Sequence, residues 1–281
     1  MNIQHSGSLF QQPDPAAHLP LPNPPRDLLE HGHYARKQIF SRNAIVAWSH
    51  GRRFALAREL ASAGAGGALL DYGCGDGTFA VLAHDLFRET VGADIDAEQV
   101  RDCAERLGTL AGVRFVSIGD LRDPSHHARY DVVVCMEVLE HCPSDIQPAV
   151  LDDLARLARP DGIVLISVPI ETGGTLMVKQ AVRAVAAASG LAEYAHRERY
   201  RPAEFFRMVF AGKSSQIERP ETVVASATGE TVRFHGHKGF NWRSLERLIE
   251  RVLVIERRLY SPVPLTGRWL NSQVWFVCRK R

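Results

Sequence analysis

Leu69-Leu70-Asp71-Tyr72-Gly73-Cys74-Gly75-Asp76-Gly77-Thr78 is the stretch on which the reading of the fold turns. A short apolar run reads as a buried strand, three glycines punctuate the bend after it, and Thr78 opens a helical pattern. Gly73 and Gly75 suit a tight turn with close backbone approach, because a Cβ would obstruct both. Outward from this bend, strand and helix patterns alternate. Strands are expected over residues 68–72, 90–94, 113–118, 130–136 and 162–168, and helices over 78–87, 97–107 and 146–157. Such alternation implies parallel strands joined by crossovers. Val132-Val133-Val134 and Ile163-Val164-Leu165-Ile166 are continuous apolar runs, as strands covered on both faces require. The fold class is therefore α/β, with a doubly wound sheet.

The flanks are read more coarsely. Six prolines between Pro13 and Pro25 make residues 1–26 a flexible arm. Residues 27–63 carry an amphipathic helical pattern that ends at the glycines and alanines of 64–67. After the core at 68–170, residues 171–237 break the rhythm, with helical patterns at 177–191 and 202–210 and a turn-rich stretch over 213–230. The alternation resumes in 238–281 with a helix over 242–252 and two strands, 254–259 and 274–278, separated by a polar turn that permits an antiparallel hairpin. Residues 27–281 are read as one domain.

Composition narrows the classes. With 45% hydrophobic and 23% charged residues in 281, the chain can bury a sizeable core, which excludes global disorder. No run approaches the roughly 18 apolar residues of a membrane span. A net charge of +2 offers no strong electrostatic reason to expect nucleic acid. Five cysteines with no Cys-x-x-Cys pair argue against a disulfide framework or zinc ribbon, and a reducing cytoplasm is the expected location.

The bend also speaks to ligand chemistry. A dinucleotide fingerprint is G-x-G-x-x-G. Here the third glycine comes one residue early, at Gly77, and Thr78 stands at the dinucleotide position. Asp71, just ahead of the loop, would repel a pyrophosphate and attract a cation. The amides opening the next helix are expected to face the ligand. A positively charged, phosphate-free nucleoside is the ligand these residues favour.

At this point the chain resembles the class I S-adenosylmethionine-dependent methyltransferases, whose E/D-x-G-x-G-x-G loop matches Asp71 through Gly77. The resemblance implies a Rossmann-like seven-stranded sheet with an antiparallel C-terminal hairpin, N-terminal helices, a helical lid at 171–237, and S-adenosylmethionine as cofactor. It places Asp71, Gly73, Cys74, Gly75 and Gly77 around the cofactor, Cys74 through its backbone. Asp94 and Ile95 follow at the ribose, Asp120 and Leu121 at the adenine, and Met136 and Glu137 where methyl donor and acceptor meet. A carboxylate can hold a vicinal diol through two oxygens, which is the reason for Asp94. Asp96 competes for that role, but helix N-cap duty is preferred because Ala97 begins a helix.

Glu137-Val138-Leu139-Glu140-His141 is similar to the loop of small-molecule and quinone O-methyltransferases, which makes His141 the expected base, with Glu137, for a hydroxyl acceptor. Phe234-His235-Gly236-His237-Lys238-Gly239-Phe240-Asn241-Trp242 resembles a His-rich motif of small-RNA 2′-O-methyltransferases. That resemblance implies a divalent ion on Glu140, His141 and a later His, with one inserted residue and Asn241 in place of Glu as departures. The expectation taken is no metal, with Glu140 and His141 orienting the loop. Tyr34, Lys37, His50 and Arg53 are candidates for contact with cofactor or acceptor. The cluster His196–Arg201 is read as solvated charge. A small-molecule or glycan methyltransferase acting at oxygen is the favoured function. A metal-assisted RNA methyltransferase and a non-catalytic cofactor-binding protein are the alternatives. Oligomeric state and acceptor identity are not legible.

Overall fold

The computed structural model describes residues 26–188, 200–225 and 231–281. The proline-rich arm, apart from Arg26, and most of the His196–Arg201 cluster lie outside these residues. The central sheet runs through β1 (Ala68–Tyr72), β2 (Glu89–Asp94), β3 (Val113–Ser117), β4 (Tyr130–Met136) and β5 (Ala158–Pro169). Two later strands, β8 (Leu253–Ser261) and β9 (Gln273–Lys280), complete it, giving the order β3-β2-β1-β4-β5-β9-β8. The first five strands are parallel. β9 pairs antiparallel with both β5 and β8, so the expected C-terminal hairpin forms, its strands longer at both ends than the sequence pattern suggested.

Alternate residues of each strand enter two separate cores. Leu70, Tyr72, Val133, Cys135 and Ile166 face α6 (Gln147–Leu157) and α9 (Trp242–Val252). Leu69, Val132, Val134, Leu165 and Trp275 face the opposite layer, built from α3 (Ala44–Ala61), α4 (Thr78–Ala83) and α5 (Ala97–Leu107). Burial on both faces is why the strands read as unbroken apolar runs rather than alternating ones. Because β1 leads to β2 on one side and β4 lies on its other side, the carboxyl ends of β1 and β4 are neighbours. That is the switch point at which open α/β sheets bind ligands.

The stretch after β5 differs from its turn-rich reading. Between α7 (Gly173–Ala188), α8 (Pro202–Val209) and α9 lies a separate antiparallel pair, β6 (Glu221–Ala225) with β7 (Thr231–His235). These two short strands pair with each other rather than with the main sheet. No helix among the described residues is long and apolar enough to cross a membrane.

The N-terminal helices are tied to the glycine bend by one side chain. Asp76 is buried, and its Oδ2 accepts the amides of Tyr34 and Ala35 in α2 (His33–Gln38), at 2.8 and 2.9 Å. Its Oδ1 accepts the Thr78 hydroxyl at 2.6 Å and the Thr78 amide at 3.3 Å. Arg106 of α5 adds bonds to the carbonyls of Asp76 and Leu28. Asp76→Ala leaves buried donors without acceptors and should cost about 3 kcal/mol of stability, read by denaturant unfolding. Hydrogen exchange should rise most over residues 26–40.

Candidate functional site

The glycine bend works as the residue types require at two positions. Gly73, Gly75 and Gly77 all have positive φ, +78°, +53° and +76°. A Cβ on Gly73 would run into Val138 of the loop after β4, and one on Gly77 into the Leu107 side chain. Gly73 and Cys74 donate their amides to the Ala93 carbonyl at 2.7 and 3.0 Å, which welds the bend to the end of β2. Gly75 donates to Asp94 Oδ2 at 2.9 Å. The Tyr34 ring lies over the bend, 3.4 Å from where a Gly75 Cβ would stand.

The acids have unequal surroundings. Asp71 is buried, its Oδ2 accepts no hydrogen bond, and burial, reinforced by the charges of Asp94 and Asp76, pushes its carboxyl up to about 8. A buried carboxylate without a partner is costly, and a cation beside it would remove the cost. Asp94 uses each oxygen for one amide, Gly75 on Oδ2 and Asp96 at 3.0 Å on Oδ1, leaving lone pairs for further donors. Asp96 accepts the amides of Glu98 and Gln99 and is the N-cap of α5, as its position before Ala97 suggested. Ile95 between them stands 61% exposed, an apolar surface at the rim.

Asp120 follows β3 and accepts the Ser117 amide at 3.0 Å in a capping box, with its side chain at the surface. Leu121 is packed into the core and its carbonyl takes Arg156, so its side chain is turned away from the rim. Cys74 is buried beside Cys103, which donates to the Gly75 carbonyl. The Thr78 amide, at the helix start expected to face a ligand, is instead donated to Asp76 Oδ1 two residues before it. Asp71, the glycines and Asp94 are thus brought together directly, with Asp120 one strand away through the Asp94–Ser117 pairing.

Across the switch point, Met136 ends β4 and Glu137 turns with φ +56°. Glu137 donates its amide to the Ser167 carbonyl, and its carboxylate accepts the Ser167 hydroxyl at 3.3 Å. Arg53 of α3 is buried with its guanidinium 3.8 Å from Glu137 Oε2 and bonded to Gln38 at 2.5 Å. Burial pulls the Arg53 guanidinium down, while the charges of Glu137 and Glu140 oppose that. His50, one turn earlier, is lowered to about 4 by burial and by Arg53. Lys37 instead lies at the surface, 3.0 Å from His33.

Glu140 is completely buried and neither of its carboxylate oxygens accepts a hydrogen bond. Burial and the Glu137 charge hold its carboxyl well above the usual range. His141 donates from Nδ1 to the His235 carbonyl at 2.8 Å, which leaves Nε2 as the acceptor nitrogen, 3.8 Å from Glu140 Oε1. Burial lowers the His141 imidazole, so it is neutral near pH 7. The His237 ring centroid lies 5.1 Å away, and its Nδ1 is 3.7 Å from the buried Glu171, which pairs with Lys179 at 2.8 Å. Glu140, His141 and His237 offer ligand atoms within 4.8 Å of one another. This donor set fits the divalent ion implied by the His-rich motif: one orphaned carboxylate, and two imidazoles whose Nδ1 atoms face a carbonyl and a carboxylate. His235, the other histidine of the motif, is turned elsewhere and donates to the Pro220 carbonyl.

Four supporting residues escaped the reading of the sequence. Arg219 holds the loop through the carbonyls of Glu140 and Gly236, and Gln147 through those of Leu139 and Cys142. Glu171 and Lys179 form the pair beside His237. None carries a local motif: Arg219 acts on carbonyls 17 and 79 residues away, and Gln147 and the Glu171–Lys179 pair act over five to eight residues without a recognisable spacing. The helical phase of α3 did contain one: Arg53 shares its buried face with Leu56, Ala57 and Leu60.

A family model described as a methyltransferase domain matches residues 40–211. The chain is 30% identical over 108 residues to the ubiquinone biosynthesis O-methyltransferase of Actinobacillus pleuropneumoniae serotype 7. That match covers 36% of this chain and 45% of the relative. The protein of the same name from Klebsiella pneumoniae subsp. pneumoniae is 36% identical over 109 residues, covering 36% of this chain and 42% of the relative. The chain thus spans less than half the length of these curated relatives. Among solved structures, the PH0226 protein from Pyrococcus horikoshii OT3 matches with TM-score 0.56 at 16% identity, covering 89% of this chain and 97% of its own. N-methyltransferase NodS from Bradyrhizobium japonicum WM9, solved with S-adenosyl-l-homocysteine, matches with TM-score 0.51 at 12% identity, covering 91% of this chain and 95% of its own. At those identities the likeness concerns the fold, and with a family model spanning most of the core, the chain belongs to the methyltransferase-domain family.

Proposed function

We propose that this protein transfers a methyl group from S-adenosylmethionine to an oxygen of a small-molecule or glycan acceptor. The observation that carries the reading is the meeting, at one sheet edge, of an unpartnered buried acid with a neutral imidazole of fixed tautomer. Asp71 asks for a cation, and Gly73 and Gly77 in the bend beside it have no room for a Cβ. His141, its Nδ1 committed to a carbonyl, presents Nε2 as a proton acceptor. The names of the curated relatives lend oxygen its support.

In this reading Asp94 takes the ribose hydroxyls, Asp120 the adenine amino group, Ile95 the flat face of the base, and Leu121 lends its backbone. Cofactor chemistry supplies an electrophilic methyl on a sulfonium. Met136 and Glu137 bound the space where an acceptor meets it. The chain's main task is alignment, worth several kcal/mol when the reacting atoms are held in line. His141 would remove the hydroxyl proton, a role typically worth about 10²–10⁴-fold. Arg53 would hold Glu137 in place. The described residues after β5 that bring His235 and His237 against His141 would act as a cover over the loop.

A second reading is favoured by the Glu140, His141 and His237 cluster. These three residues would hold a divalent ion, which would act as a Lewis acid on the acceptor hydroxyl. A net charge of +2 gives an RNA acceptor no electrostatic support.

Three outcomes test these readings. Asp71 is mostly protonated at pH 7 in the free protein and must ionise to meet a cation. Calorimetric affinity for S-adenosylmethionine should therefore rise as pH climbs from 6 towards 8, by up to about tenfold per unit, and level off above. Asp71→Asn should flatten that dependence and weaken binding at pH 8 by more than about tenfold. His141→Ala should lower turnover about 10²-fold or more with little change in cofactor affinity, read by S-adenosylhomocysteine production. No such product with any acceptor in a cell extract would favour a non-catalytic binding protein instead. Equilibrium dialysis should find about one manganese ion per chain if the second reading holds, and none in Glu140→Gln or His237→Ala. Absence of retained ion in the native protein would eliminate that reading.

A further inference from the structure

Arg219 stands two residues ahead of β6, and its guanidinium is shared among three carbonyls. Nη2 donates to the Glu140 carbonyl and, at 2.9 Å, to the Gly236 carbonyl. Nε reaches the Lys238 carbonyl at 3.4 Å. Glu140 directly precedes His141, while Gly236 and Lys238 flank His237. One cation thus holds the backbone beside both imidazoles, whose ring centroids lie 5.1 Å apart with their planes tilted by 52°. A planar group with five N–H donors in a fixed fork can serve three converging acceptors, which an ammonium or a single amide does less well.

The chain around Arg219 is shaped to receive it. Phe240 is buried, and the guanidinium carbon lies 5.4 Å over its ring. Gly239 has φ +76°, and a Cβ there would stand 3.0 Å from Arg219 Cγ and 2.7 Å from Ile217 Cγ1. The arginine stem therefore passes where a glycine leaves room for it. Pro220, the next residue, accepts His235 Nδ1 on its carbonyl at 2.9 Å. His235 in turn gives its amide to the His141 carbonyl at 2.9 Å and takes His141 Nδ1 on its own carbonyl at 2.8 Å. Arg219 sits at this junction of hairpin and loop. The hairpin has a separate tie in Arg233, which pairs with Asp145 at 2.6 Å. The bonds of Arg219 fall instead beside the two histidines.

We propose that Arg219 is a positioning residue for methyl transfer: its guanidinium fixes His141 and His237 relative to each other and so aims His141 Nε2 at the acceptor hydroxyl. This rests on the methyl-transfer reading, in which the acceptor oxygen gains the methyl group and His141 Nε2 gains the hydroxyl proton, with a neutral thioether as the other product. Arg219 acts through the carbonyls beside the histidines rather than on a reacting atom. Groups that do chemistry must be held within about 0.5 Å of their productive place. A displacement of about 1 Å can cost about 10²-fold in rate. The two imidazoles would need the same precision as ligands of an ion.

The test compares the full native chain with Arg219→Gln, Arg219→Lys and Arg233→Gln, each checked for folding by circular dichroism. Nuclear magnetic resonance of histidine-labelled protein reads the geometry without reference to activity. The native chain should show a through-space contact between the His141 and His237 rings and a proton on His141 Nδ1, and Arg219→Gln should lose both. Maximal S-adenosylhomocysteine production in a protein-free cell extract should fall about 10²-fold in Arg219→Gln, while KM for S-adenosylmethionine stays within about threefold. Arg219→Lys, which keeps the charge and reaches fewer of the carbonyls, should fall between the two in ring contact and in turnover alike. Arg233→Gln loosens the same hairpin and should keep both. A folded Arg219→Gln that retains the ring contact, or loses it with turnover intact, overturns the proposal. Equal losses in Arg233→Gln would reduce Arg219 to a support of the hairpin and would also overturn it. Native turnover in His141→Ala would instead bring down the reading of His141 as the base, whatever the Arg219 variants do.

Discussion

The absence of a side chain at Gly73 is the constraint on which the site depends. Only there can Val138 press against the backbone leaving β1, so the loops after β1 and β4 meet with no gap. Gly73 and Cys74 are fastened at the same time to Ala93 at the end of β2. Three strand ends are thereby locked into one edge, and the acids they carry share a small volume. A residue with a Cβ would be strained at φ +78° and would push the two loops apart.

Around that edge the protein tolerates an unusual amount of buried charge. Asp71 and Glu140 are both sequestered with oxygens that accept no hydrogen bond, and Arg53 is buried between helix and loop. Buried groups of this kind lower stability unless something pairs with them. Stable packing does not require them, since every strand near them is already covered on two faces by apolar side chains. In the function proposed above they are preorganised for ligands that would bring the missing charge: a cation at Asp71, and a cation or proton at Glu140. Glu171, tied to Lys179 and facing His237, extends the same logic outward by orienting an imidazole rather than touching a ligand itself.

Much of the architecture was legible along the chain because it rests on local rules. β1, β4, α5 and α9 begin and end where the apolar runs and periodicity place them. Asp96 caps α5 as expected, since a cap needs only the next two or three amides. β6 and β7 were missed because each is only five residues long and pairs with the other rather than with the main sheet, so neither shows as part of the strand–helix alternation. Asp76 looked like one more polar turn residue, yet it holds α2 against the bend from 41 and 42 residues away. The Thr78 amide, expected to serve a ligand, serves Asp76 two residues before it.

Sequence alone determined the α/β order of elements, the glycine bend and the placing of acids after successive strands, because periodicity and backbone freedom are properties of neighbouring residues. It also marked out Glu137, Glu140 and His141 as a unit. Only the tertiary structure decided that His237 joins them while His235 turns to Pro220, and that Arg53 faces Glu137 from a helix 84 positions earlier. Those outcomes follow from how separate layers pack on a sheet edge, where contact depends on strand order and loop path rather than on distance along the chain.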